Sequence, residues 1–134
     1  MSLAGSELAE RFYRAFLAAD REALAEVVAP TVAWVVPLAT AVSGAHTGPD
    51  GILALRRRLA ELTGGTWRPL REDSFDVTAS DSHAVIMDRF LAERGEQRLD
   101  SHEVVVMAVQ DDRVMRLFHY LHDPAAFEAF WSGA

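Results

Sequence analysis

Three residues of this chain have side chains suited to proton-transfer chemistry and stand in strand-like surroundings. His119 lies among apolar neighbours in VMRLFHYL, Arg89 in HAVIMDRFLAE, and Glu103 in SHEVVVMAV. Imidazole near neutral pH takes a proton and returns it, so His119 is the candidate general acid/base. Side chains alternate across a strand, so Val85, Met87, Arg89 and Leu91 share one face, as do Met115, Leu117, His119 and Leu121. A guanidinium turned into an interior needs an acceptor, because an unpaired buried charge is very costly. Glu103, or an anionic or carbonyl oxygen of a ligand, would serve. The bland alternative is a hydrogen-bonded core histidine beside a structural Arg89–Glu103 ion pair.

Whether His102 or Glu103 shares the face of His119 turns on one residue of register. A two-residue turn at Asp111-Asp112 sets Val104 opposite His119 and turns His102 inward. Asp112 in a left-handed conformation adds a residue to the loop and brings Glu103 round instead. Asp tolerates that conformation better than most residues, which favours Glu103.

The elements that must position these residues follow from periodicity. Ser6 and Glu7 open a helix with Leu8, Phe12, Ala15, Phe16 and Ala19 on one stripe. Asp20 caps a shorter helix carrying Leu24, Val27 and Val28, which Pro30 ends. Thr31 to Val36 reads as a strand stopped by Pro37, and Leu38 to Gly48 as a loop at a pocket mouth. Pro49 and Asp50 start a third helix, buried through Ile52, Leu55, Leu59 and Leu62 and stopped by Gly64-Gly65, with Arg56, Arg57 and Arg58 fanning outward. Thr66 to Leu70 and Ser74 to Thr78 read as short strands. His83–Glu93, Arg98–Val109 and Val114–Leu121 form a meander of three long ones. Asp123-Pro124 then begins a helix with Phe127, Phe130 and Trp131.

Composition limits the function. A net charge of −7 argues against nucleic-acid binding, and no apolar run approaches the length of a membrane span. The absence of cysteine excludes disulfides and thiolate metal sites and fits a cytoplasmic location. His119 and His122 fall on opposite faces of a strand, and His102-Glu103 lacks the second histidine of a zinc-peptidase helix, so no metal is expected. With no phosphate-binding glycine loop either, the expected cofactor set is none. The middle strand of the meander is apolar on both faces, which requires cover on both sides; a second copy of the chain is the simplest outer cover.

Several segments carry a family resemblance: Phe12, Phe16 and Asp20 at the first helix boundary, Thr47, Gly48 and Ile52 entering the third helix, the turn Asp111-Asp112-Arg113-Val114, and Asp123 to Trp131. With the order of elements, they make the chain resemble the nuclear transport factor 2-like superfamily, closest to SnoaL-like, ketosteroid isomerase-related proteins. The resemblance implies an α+β fold in one domain over residues 4–134. Its cone-like, strongly curved, mostly antiparallel sheet would be closed by three helices of the N-terminal half, with a short C-terminal helix. The cavity inside would take a small apolar ligand. Both His119 and Arg89 are thereby expected inside, with Phe12, Phe16, Trp34, Val36, Met87, Leu91 and Leu117 as ligand-binding walls and His119, Arg89 and Glu103 as the catalytic set.

The same comparison marks departures. The positions matching the ketosteroid isomerase base and oxyanion hole are Val36, Phe12, and Val104 or Val105, all apolar. Arg89 matches the arginine of the limonene epoxide hydrolase-like members, whose carboxylates are replaced by Leu91 and His119 and whose Tyr and Asn are replaced by Ala33 and Val35. SnoaL-like cyclases place an acidic acid/base where this chain has His119. The implied activity is an isomerase, cyclase or hydrolase working through His119 on an apolar oxygen-bearing ligand. A non-catalytic ligand-binding or dimerising accessory protein is the alternative.

Overall fold

The structure is a computed structural model and describes residues 4–70 and 76–132. Helix α1 (Gly5–Ala18) buries Leu8, Ala9, Phe12, Tyr13, Ala15 and Phe16 and ends on Ala19 in the left-handed conformation. Its N-cap is Ala4 with no side-chain cap, so Ser6 lies within the first turn rather than opening the helix. Helix α2 (Arg21–Val27) has the expected cap, the Asp20 carboxylate accepting from the Ala23 amide. It ends at Val27 before Pro30 is reached, because Val28 is already extended and begins β1 (Val28–Val36). Pro30 therefore sits inside β1, where the pairing with the last strand is irregular between Val28 and Ala33, as befits a residue with no amide to donate.

The segment read as a mouth loop contains a short edge strand, β2 (Gly44–Thr47), antiparallel to β1. Ser43 Oγ donates to the Pro37 carbonyl at 2.7 Å and folds the preceding turn back, so that Val42 is buried. Helix α3 (Gly48–Thr63) buries Ile52, Leu55, Leu59 and Thr63, while Leu62 is only half-buried. Of the three arginines expected to fan outward, Arg56 lies over the Trp67 ring at 5.2 Å and Arg58 Nε donates to the Ala41 carbonyl.

Strands β3 (Arg68–Pro69) and β4 (Asp76–Ala79) both pair with β5 (His83–Arg94). Ser74 and Phe75, expected to open β4, lie outside the described residues. With β6 (Gln97–Gln110) and β7 (Arg113–Leu121) these strands make an open sheet in the order β2-β1-β7-β6-β5-β3, antiparallel except where β1 runs parallel to β7. Helix α4 (Pro124–Trp131), capped by Asp123 accepting from the Ala126 amide, returns Phe127, Phe130 and Trp131 to the core. The result is an α+β fold with, among the described residues, four helices and a mixed, mostly antiparallel sheet. Among the described residues, no helix is long and apolar enough to cross a membrane.

Candidate functional site

The inner face of β5 carries Ala84, Ile86, Asp88, Phe90 and Ala92, all buried. The expectation that Met87, Arg89 and Leu91 face inward is therefore corrected by one residue of parity. Met87 is 42% exposed, and Arg89 binds Asp100 on the outer surface through two hydrogen bonds of 2.8 and 2.7 Å. That partner holds Arg89 without help from Glu103 or a ligand, and it lowers the Asp100 carboxyl below its usual range. The parity was hard to read because β5 alternates two apolar sets, one inside and one on the outer face.

Glu103 and His119 do meet on the inside, and the register that brings them together combines the two alternatives. The turn is the two-residue one, with both Asp111 (φ 53°) and Asp112 (φ 60°) left-handed and Gln110 paired with Arg113. The extra residue lies in the strand instead: Val109 pairs with Val114 but Ala108 with Arg116, so Met115 bulges out. Beyond the bulge Val105 is opposite His119, and Glu103 is the next inward residue along β6. His119 Nε2 contacts Glu103 Oε1, and Trp34 Nε1 donates to His119 Nδ1 at 3.3 Å. An imidazole that accepts at Nδ1 carries its proton at Nε2, the nitrogen that lies against Glu103.

Directly across β5 and β6, Asp88 is the register partner of Glu103. Its Oδ2 accepts the Tyr13 hydroxyl from α1. Asp88 and Glu103 are 6% and 3% exposed, and among the described residues no Arg or Lys lines the surrounding cavity. Burial raises the Asp88 carboxyl to about 6. Burial, reinforced by the negative charge of Asp88, raises Glu103 well above its ordinary value, with the Ser101 hydroxyl acting against it. Burial also lowers His119 to about 4, so the imidazole is neutral at neutral pH.

The cavity is small, about 30 Å³. Phe16, Trp34 and Val36 line it as expected, together with Glu103 and His119. Phe12 and Leu117 are fully buried but lie behind that wall, Phe12 packing edge-on against Trp34. Tyr13, Trp67, Asp88, Phe127 and Trp131 also line the cavity, outside the expected set, among further apolar residues that include Leu55, Leu59 and Phe90. The signal for Asp88 was a carboxylate in a strand of otherwise apolar character, one position from the arginine that drew the eye. The apolar residues at the family's carboxylate positions therefore do not leave the interior without carboxylates. Among the described residues, no group of three or more potential metal ligands occurs.

An α+β fold of this topology, with a buried acid/base cluster in an apolar interior, defines a class, and the comparisons give it a family. Residues 9–117 match the SnoaL-like domain, and the chain belongs to that family. An uncharacterized protein of Mycobacterium tuberculosis strain H37Rv is 32% identical over 126 residues, covering 94% of this chain and 95% of its own. Among solved structures, Bal32a from a soil-derived mobile gene cassette superposes with a TM-score of 0.83 at 30% identity, covering 95% of both chains. A SnoaL-like polyketide cyclase from Jannaschia sp. CCS1 shares the fold, with a TM-score of 0.70 at 16% identity over 96% of this chain and 92% of its own.

Proposed function

We propose that this protein transforms a small, largely apolar, oxygen-bearing molecule by proton transfer at the Asp88–Glu103–His119 cluster. The observation that carries the reading is a pair of buried carboxylates set opposite each other, with no Arg or Lys among the described residues of the cavity wall. Such a pair is costly to keep, and neighbouring acids with displaced proton affinities are how proteins obtain an acid and a base at one pH. Glu103, whose proton affinity burial raises well above that of an ordinary glutamate, is the general acid toward a ligand oxygen. Asp88, ionised above about pH 6, is the base that takes a proton from the ligand or from a water. Both nitrogens of His119 are engaged, so its acid/base part is exercised through Glu103, which it orients. Arg89, on the outer face, does not place the ligand.

The test is a panel of steroid, terpenoid and polyketide-like ligands scored for both binding and chemical change. Glu103→Gln and His119→Ala are expected to lower turnover roughly a hundredfold or more, with His119→Ala leaving affinity nearly intact. Binding without change by the native protein, with altered affinity in the variants, would instead support a non-catalytic binding protein. The proposed partner is a second copy of the chain, seated on the outer face of the sheet.

A further inference from the structure

The mechanism above leaves the cavity's charge unbalanced. Asp88 Oδ1 and Trp131 Nε1 are both buried and reach no hydrogen-bond partner among the described residues. Each belongs to a residue at least nine-tenths buried that lines the cavity, so the wall presents an unanswered acceptor and an unanswered donor. Around them stand the rings of Phe16, Trp34, Trp67, Phe90, Phe127 and Trp131. The nearby guanidinium groups are engaged elsewhere: Arg89 on Asp100, Arg56 over Trp67, Arg94 on the Phe130 carbonyl. Aromatic faces attract a positive charge through their quadrupoles, most strongly where water is excluded. Carboxylates in the same enclosure add a direct Coulombic attraction that low polarity strengthens.

From these placements we infer that the cavity takes a small organic cation, a protonated or quaternary amine that also carries an oxygen. Its nitrogen faces Asp88 and Glu103, and its oxygen accepts from Trp131 Nε1. A neutral ligand answers the indole and leaves the ionised Asp88 uncompensated; a metal ion answers the carboxylate and makes no use of the rings. The inference names the ligand class for the site proposed above and rests on that site binding a ligand. The titratable groups around the pair are Tyr13 from α1 and His119 from β7 on the cavity side, and His102, Tyr120 and His122 in a neighbouring groove that Asp88 and Glu103 also line, while α3 contributes only the apolar Leu55 and Leu59 to the cavity. Because the ionised carboxylate attracts the cation, binding strengthens as pH rises through the Asp88 transition and releases protons.

Calorimetric titration of the full chain with two matched pairs tests this. One pair is choline and 3,3-dimethylbutan-1-ol; the other is ethanolamine and 1-propanol. In at least one pair the cation is expected to bind about tenfold or more tightly than its neutral isostere, and Asp88→Asn to erase that preference. The Asn oxygen still accepts from Tyr13; if circular dichroism shows that variant unfolded, Glu103→Gln takes its place. Equal binding of cation and alcohol would overturn the inference while leaving the proton-transfer reading standing. Failure of both cations to bind would overturn it as well. Turnover in the ligand panel is scored separately, so the two readings fail independently.

Discussion

Asp88 is a residue whose stability cost and functional value have the same origin. Its folded-state value of about 6 lies above the ordinary 3.8, so the protonated form is favoured on folding. Its contribution is therefore most favourable below the unfolded value and is lost as pH rises through about 6. The displacement corresponds to about 3 kcal/mol. His119 runs the other way: lowered to about 4, it destabilises the fold only as pH drops from 6.5 toward that value. The two slopes oppose each other over pH 4 to 6 and hide one another in the native protein's curve. The difference between Asp88→Asn and native stability isolates the Asp88 part. By urea denaturation it is expected to grow by about 3 kcal/mol in favour of the variant between pH 4 and 7. A difference independent of pH would mean that Asp88 is not a strained acid. The sequence made His119 and Glu103 readable, since a polar residue in an apolar strand stands out. It did not make Asp88 readable, because Asp88 and Arg89 are adjacent and only strand parity decides which one is inside.

At the level of elements, the β6–β7 hairpin shows why parity escapes a sequence. Turn chemistry was readable at Asp111-Asp112, as were the caps at Asp20 and Asp123, because each acts over a few residues. The bulge at Met115 has no comparable local mark; it arises from fitting the hairpin to the curvature of the sheet. The same holds for β2, a strand of four small and polar residues that exists because β1 offers it an edge. The turn itself invites a test. Two left-handed Asp residues in succession are strained, and Asn-Gly is the pair best suited to that geometry. Replacing Asp111-Asp112 by Asn-Gly is expected to raise stability by about 1 kcal/mol in urea denaturation. It should leave the near-ultraviolet signal of Trp34 beside His119 unchanged. A loss of stability would show that the Asp side chains contribute more through their own interactions than the strained backbone costs.

For the whole molecule, the order of elements was the most readable feature, because long periodic segments fix their own type and the meander fixes their neighbours. What lies beyond one copy is carried by the outer face of the sheet. There Met87 and Tyr120 are 42% and 57% exposed, with half-buried Val85, Val104, Val106 and Phe118 between and around them. Among the described residues, α1, α3 and α4 pack on the sheet's inner face and no helix packs on its outer face. A continuous apolar patch of this kind on a chain of 134 residues marks an interaction surface. Because a twofold contact lets the same patch cover itself, a second copy satisfies it without any further partner. Sedimentation equilibrium at micromolar concentration is expected to give a dimer. Met87→Glu with Tyr120→Glu is expected to give a folded monomer, since like charges would then face each other across the twofold axis. The inner site lies on the opposite side of the sheet, so the monomeric variant should keep its ligand affinity. A native protein that sediments as a monomer would remove the dimer proposal and leave the cavity chemistry untouched. A dimer unaffected by both substitutions would move the interface to another face.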